Sequence, residues 1–224
     1  RDSADSLSFS ISGQSADTSQ SGYTHAAGGT YGTLYINSGT GAYKYIPDES
    51  AIEPLTSQQS ESFTFIASDG TNSANQTLTT TLAGANDTPV LASLSGVSFT
   101  DTSGDDSFSV ASATASGSDR DSSDTLTYAI SGQSADTSQS GYTHAAGGTY
   151  GTLYINSGTG AYKYIPTDSA IEGASSSQSD SFTLSVSDGT ANASQTLTAT
   201  IGGVNDTPVL ASLSGVSFTD TSGD

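Results

Sequence analysis

Apolar and polar residues alternate in several short stretches of the chain. In "TLTYAIS" Leu126, Tyr128 and Ile130 fall on one side of an extended backbone, and in "SFTLSVSDG" Phe182, Leu184 and Val186 do the same. A period of two predicts half-buried antiparallel strands. The same reading places strands at 90–99, 107–115, 126–131, 150–156, 161–165, 181–187 and 195–201. "NSGTG" at 156–160 and "SDGTA" at 187–191 supply the Asn, Asp and Gly that hairpin turns need. Only "DSAIEG" reads as a helical turn, and "QSADTSQSGYTHAAGGTYG", which carries His144, reads as a long loop. Many short strands with regular turns predict an all-β fold of Greek-key sandwiches with about seven strands each.

The pattern occurs twice. Tyr142 repeats Tyr23, Asp188 repeats Asp69 and Asn205 repeats Asn86, each 119 positions on (142−23, 188−69, 205−86). The stretch 11–47 returns unchanged at 130–166, and "NDTPVLASLSGVSFTDTSGD" at 86–105 returns at 205–224. A fixed period of this length marks a tandem array in which each unit is large enough to enclose a core. The expected organisation is a first repeat at 1–85 without its first two strands, a complete sandwich at 86–204, and a linker with the first strand of a following repeat at 205–224. A first repeat of that kind is expected to expose the inward faces of Leu7, Phe9 and Ile11. These 224 residues then read as a window on a longer array, with head-to-tail strand donation between copies as the alternative.

Strand parity converts this order into a site. If successive strands run alternately away from and toward the junction with the preceding repeat, the loop 117–125, the turn 187–190 and the incoming linker meet at one pole. Those segments bring Asp119, Asp121 and Asp124, then Asp188, then Asn86 and Asp87. Asp2, Asp5 and Asp69 are the counterparts in the first repeat, which has no equivalent of Asp119, so its site is expected to be weaker. Asn205 and Asp206 begin the next linker.

Charge changes the meaning of that cluster. Lys and Arg number 4 against 23 Asp and Glu, a formal net charge of −19, which disfavours nucleic acid and anionic lipid and attracts cations. Gathered carboxylates repel one another unless a cation lies among them. Ca²⁺ accepts about 6 to 8 oxygen ligands in a flexible geometry, which suits D-x-D-x-x-D with an Asn and backbone carbonyls, whereas zinc favours His and Cys. The plainer alternative is that Asp and Asn merely serve turns. Cysteine is absent, which excludes disulfides and thiol catalysis, and no apolar run approaches the roughly 18 residues of a membrane span.

"NDTP" at the junction, "DRDSSDTLTY", "GTYGTLYINSGTGAYKYIP" and "DSFTLSVSDGT" together resemble the VCBS-type, cadherin-like tandem repeats of large bacterial RTX adhesins and biofilm surface proteins. The resemblance implies secretion, calcium-stiffened linkers and a spacer role between a cell surface and a terminal ligand-binding domain. Thr88 departs from the family's linker, which usually carries a second Asn after the Asp.

Other chemistry is sparse. His25 and His144 have no positioned nucleophile in the sequence, and no phosphate loop or nucleophile elbow occurs, so no enzyme is read. Lys44 and Lys163 sit between tyrosines, where an isopeptide crosslink to Asn competes with an outward lysine that discourages edge pairing. The density of Tyr23, Tyr31, Tyr35, Tyr43 and Tyr45 admits a glycan-stacking platform beside an ordinary sheet surface. Two functions follow: a calcium-stiffened structural extender, or a glycan- or surface-binding module.

Overall fold

The turn chemistry closes hairpins as expected. Asn156 Oδ1 accepts from the N–H groups of Gly158 (2.9 Å) and Thr159 (3.1 Å), and Gly160 closes the turn at a φ of 71°. Asn37 does the same in the first repeat, accepting from Gly39 and Thr40 at 3.0 Å each. The structure, a computed structural model, describes residues 6–220 and 222.

The first repeat holds β1 (Ser8–Ile11), β2 (Ser15–Ala16), β3 (His25–Gly28), β4 (Gly32–Ile36), β5 (Tyr43–Pro47), α1 (Glu49–Ile52), β6 (Gln59–Ser68) and β7 (Ser73–Leu82). Its sheets run β1-β6-β7 and β2-β3-β4-β5. The second holds β8 (Val90–Leu91), β9 (Val97–Thr100), β10 (Ala111–Thr114), β11 (Gly117–Ser118), β12 (Thr127–Ile130), β13 (Ser134–Ala135), β14 (His144–Gly147), β15 (Gly151–Ile155), β16 (Ala161–Pro166), α2 (Asp168–Glu172), β17 (Gln178–Ser187) and β18 (Asn192–Gly202). Its sheets run β12-β17-β18-β9 and β10-β16-β15-β14-β13, with a short β11-β8 ribbon.

Alternation decides what is buried. Gly151, Leu153 and Ile155 of β15 are buried while Thr152 and Tyr154 are not, and Phe182, Leu184 and Val186 of β17 are buried in the same rhythm. Tyr164 of β16 meets Phe182 of β17 with ring centroids 6.0 Å apart, so the two sheets face each other across a shared core. The first repeat gathers Ile11, Ala27, Leu34, Ile36 and Phe63 in its core. The fold class is the expected all-β sandwich.

Four details differ from the sequence reading. The strand expected at 90–99 is two short strands, because β8 pairs with β11 while β9 pairs in parallel with β18, and one segment changes partners between them. The strand expected at 107–115 is only Ala111–Thr114. The long loop contains the hairpin β13–β14, which places His144 on a strand, its Nδ1 3.0 Å from Thr143 Oγ1. Two added strands reverse the chain twice, so the parity argument survives. Finally, Ile11 is 2% exposed rather than open, because β1 pairs with β6, whereas Leu7 is 48% exposed.

By contacts the chain divides into two compact units: Arg1–Ala92 with Ser116–Thr127 and Ser185–Ser194, and Ser93–Ala115 with Tyr128–Leu184 and Gln195–Asp224. The loops that carry Asp119, Asp121, Asp124 and Asp188 therefore belong to the same unit as Asn86 and Asp87. No helix among the described residues is long and apolar enough to cross a membrane.

Candidate metal centre

The linker, the loop before β12 and the β17–β18 turn come together. Asp87 N–H donates to Asp121 Oδ2 (2.6 Å), Asp121 N–H donates to Asp119 Oδ1 (3.0 Å), and Asn86 Nδ2 donates to Asp188 Oδ2 (2.9 Å). Asp124 N–H donates to the Asp121 carbonyl at 3.0 Å. The carboxyl of Asp124 is held above its ordinary pKa, first by desolvation and then by the charges of Asp121, Asp188 and Asp119. Those four carboxylates thus lie within electrostatic reach of one another. Beside them Asp87, Thr88, Val90, Ser118, Asp119 and Arg120 line a cavity of about 330 Å³.

The roles within this group divide. Asp188 Oδ1 accepts from the N–H groups of Thr190 and Ala191 (2.6 Å each) and holds its own turn, which keeps its carboxyl below the usual range. Asp69 makes the same turn in the first repeat, accepting from Thr71 (2.8 Å) and Asn72 (2.7 Å). Asp2 and Asp5 lie outside the described residues. Asp121 is 1% exposed, and its Oδ1 and Asp119 Oδ2 are buried without a hydrogen-bond partner.

A second acidic group, absent from the sequence reading, stands at the end of β9. Asp101, Asp106 and Glu172 each offer an oxygen, all within 4.8 Å of one another, the one such grouping of three among the described residues. Asp101 is 1% exposed; its Oδ2 accepts from Val204 N–H at 3.0 Å, and its Oδ1 has no partner. Asp106 Oδ2 accepts from Thr102 N–H (2.6 Å), and Glu172 Oε1 accepts from Asp106 N–H (3.0 Å). Desolvation raises the Glu172 pKa, and the charges of Asp101, Asp106 and Asp206 add to the rise. Asp206 Oδ1 is buried and unpartnered as well, while Asn205 is exposed, its Nδ2 reaching the Asp206 carbonyl at 3.3 Å.

Among the described residues, the buried side-chain polar atoms left without a partner are Asp101 Oδ1, Asp119 Oδ2, Asp121 Oδ1 and Asp206 Oδ1. All are carboxylate oxygens of these two groups. A buried anionic oxygen with neither donor nor cation costs several kcal/mol. The chain's own described cations are engaged elsewhere: Lys44 with Gln20 (3.3 Å), Lys163 with Gln139 (2.7 Å) and Arg120 with Glu53 (3.0 Å). An oxygen-only donor set with unpaired charge fits a hard divalent cation and not zinc.

No known protein family matches the chain, and no curated protein is similar to it in sequence. Solved structures give loose superpositions. Protocadherin gamma B2 extracellular cadherin domains 1–5 match at 15% identity and a TM-score of 0.38, over 91% of this chain and 34% of that one. Human protocadherin-24 EC1-2 matches at 14% and 0.35, over 92% and 85%. An endo-fucoidan hydrolase of glycoside hydrolase family 107 matches at 18% and 0.31, over 92% and 24%. The chain spans about a third of the first of these, and neither adhesion nor hydrolysis is transferred by superpositions of this quality.

The other candidates resolve into ordinary contacts. Lys163 Nζ donates to Gln139 (2.7 Å) and lies 4.7 Å from the centroid of the Tyr142 ring and 5.8 Å from that of Tyr154. Tyr164 OH donates to Asp180 (2.7 Å), an acid that is 6% exposed and also accepts from Thr149 N–H (2.8 Å) and Tyr150 N–H (2.9 Å). Glu61 holds Thr30, Tyr31 and Tyr45 likewise in the first repeat. These acids brace the loop between β14 and β15 and its counterpart.

Proposed function

We propose that the chain is a structural extender: repeats of a secreted bacterial adhesin or extracellular filament, stiffened by Ca²⁺ at the poles of each sandwich. The observation that carries this reading is the confinement of unpartnered buried side-chain oxygens, among the described residues, to Asp101, Asp119, Asp121 and Asp206. Asp87, Asp119, Asp121 and Asp124 would hold calcium at the junction, with Asp188 and Asn86 orienting the turn and linker behind them. Asp101, Asp106, Glu172 and Asp206 would hold a second ion within the other compact unit. The ion would supply positive charge and oxygen coordination that tie linker to loops. Calcium sites of extracellular modules bind at about 10⁻⁴ to 10⁻³ M, and occupancy at a hundred times the dissociation constant stabilises by about 2.7 kcal/mol.

Repetition supports a spacer, since every added copy lengthens a rod while a binding module needs one competent copy. No catalytic role is assigned. Small-angle scattering in calcium and in chelator, beside a glycan array, tests the proposal. The expected result is a maximum dimension that becomes longer and better defined with calcium, and no sugar binding. An unchanged dimension, or glycan capture by the two repeats, would favour the binding module.

A further inference from the structure

Each sandwich turns outward one sheet face that carries hydroxyls and no charge. In the first repeat β6 and β7 pair Ser60 with Thr81, Ser62 with Thr79 and Thr64 with Thr77. These positions alternate with the inward Phe63, Leu78 and Leu82, and Ser62 Oγ lies 3.1 Å from Thr79 Oγ1 across the strands. Ser8 and Ser10 of β1 continue the face beside Ser68 and Ile66.

The second repeat carries the same face. Ser179, Ser181 and Thr183 of β17 and Thr196, Thr198 and Thr200 of β18 lie on the side away from the buried Phe182, Leu184, Leu197 and Ala199. Ser98 of β9 stands opposite Thr200. Among the described residues of these strands, no Asp, Glu, Lys or Arg takes an outward position, although the chain holds 23 acids and a net charge of −19. The acids within the strands, Glu61 and Asp180, turn inward to Tyr45 and Tyr164.

That composition selects a partner. A surface of carboxylates repels its own copy, whereas each Ser or Thr hydroxyl both donates and accepts, so a hydroxyl face is complementary to itself without a counter-charge. The area is sufficient as well. β6 and β7 have ten residues each, about 34 Å, and three strands with their side chains span about 15 Å, which gives about 500 Å² per repeat. Two such faces bury about 1,000 Å², the size at which a specific contact begins.

We infer that this face is an interaction surface for a second copy of the chain, sheet packed on sheet about 10 Å apart through the Ser and Thr rows. The pairing is isologous, the same face on both copies. It is weak for one pair of repeats and gains by avidity wherever linked repeats engage together. Because the remaining surface is acidic, salt strengthens the contact by screening the repulsion around it, the reverse of an ion-paired interface. The inference rests on strands internal to each repeat and not on the calcium reading.

Sedimentation equilibrium of the 224-residue chain up to about 1 mM, in chelator so that no divalent ion bridges the acids, tests it. The expected result is reversible association that is stronger at about 0.5 M salt than at about 0.02 M. Thr79→Glu with Thr198→Glu places a carboxylate in both faces and should weaken association about tenfold or more. Ser21→Glu with Ser140→Glu adds the same charge at exposed loop positions and should change it by less than about threefold. The chain has no cysteine, so Thr198→Cys should form an intermolecular disulfide under mild oxidation several-fold faster than Ser140→Cys. A chain that stays monomeric throughout, association that falls with salt, equal weakening by the two Glu pairs, or equal crosslinking by the two Cys variants would each overturn the inference.

Discussion

Replacing Asp180 with Ala removes an acceptor shared by three donors. Tyr164 OH (2.7 Å) sits on a side chain with no exposed surface, so leaving it unpaired costs about 1 to 3 kcal/mol. The Thr149 and Tyr150 N–H groups (2.8 and 2.9 Å) belong to a more open loop that water can reach, and each loses about 1 kcal/mol. Release of a buried carboxylate offsets part of this, which leaves a net loss of about 2 to 4 kcal/mol. For a unit of about a hundred residues each kcal/mol lowers Tm by about 4 to 8 °C, so a drop on the order of 10 °C or more is expected. Thermal unfolding followed by tyrosine near-ultraviolet dichroism reads it. Tyr164→Phe alone should cost about 1 kcal/mol, and the double variant should fall short of the sum because the unpaired hydroxyl is gone. A loss below about 0.5 kcal/mol for Asp180→Ala, or full additivity, would refute the brace.

Asp101→Asn should raise the Tm of the chelated chain, because the amide keeps the Val204 hydrogen bond without the buried charge, yet weaken calcium binding by about tenfold or more; both effects are read by calorimetry, and a lower Tm in chelator would contradict it. Gly148→Ala drives a methyl group into the Asp180 carboxylate and should cost about 1 to 3 kcal/mol in urea unfolding, while Gly147→Ala, whose Cβ position is open, should cost less than half as much. Asp124 and Glu172 have raised pKa values, so their protonated forms are favoured in the metal-free fold. Their stabilising contribution is complete below the unfolded-state values and is lost as pH rises through the raised ones. Calcium competes with those protons, so its affinity should fall on acidification toward the carboxylate range, and titrations with the same affinity at neutral and mildly acidic pH would count against it.

The strands of strict alternation were legible because one face is buried and one is wet: β15 and β17 lie where Leu153, Ile155, Phe182 and Leu184 place them. Asp119, Asp121 and Asp124 were legible as one acidic loop, although among the described residues no three junction acids bring ligand oxygens within 4.8 Å of one another. Asp101, Asp106 and Glu172 were not, because they arrive from a strand end, a Ser-rich loop and a one-turn helix. A signal did exist: "DESAIEPLTSQQSESF" and "TDSAIEGASSSQSDSF" drift, yet Glu53 and Glu172 are retained, as is an acid at 61 and 180. Asp180 was also marked by its place on the inward face of β17 with Phe182 and Leu184. The hairpin β13–β14 was hidden because Ser134–Ala135 and His144–Gly147 are too short to show a period.

The central claim is that calcium completes the carboxylates left unpaired at the poles. A calorimetric Ca²⁺ titration of the chelator-stripped chain, repeated with Asp121→Asn and with Mg²⁺, addresses it most directly. The account predicts saturable binding near 10⁻⁴ to 10⁻³ M or tighter, Mg²⁺ weaker than Ca²⁺, and loss of the junction site in the variant. No binding up to about 10 mM, or a variant that binds as the wild type does, would contradict it.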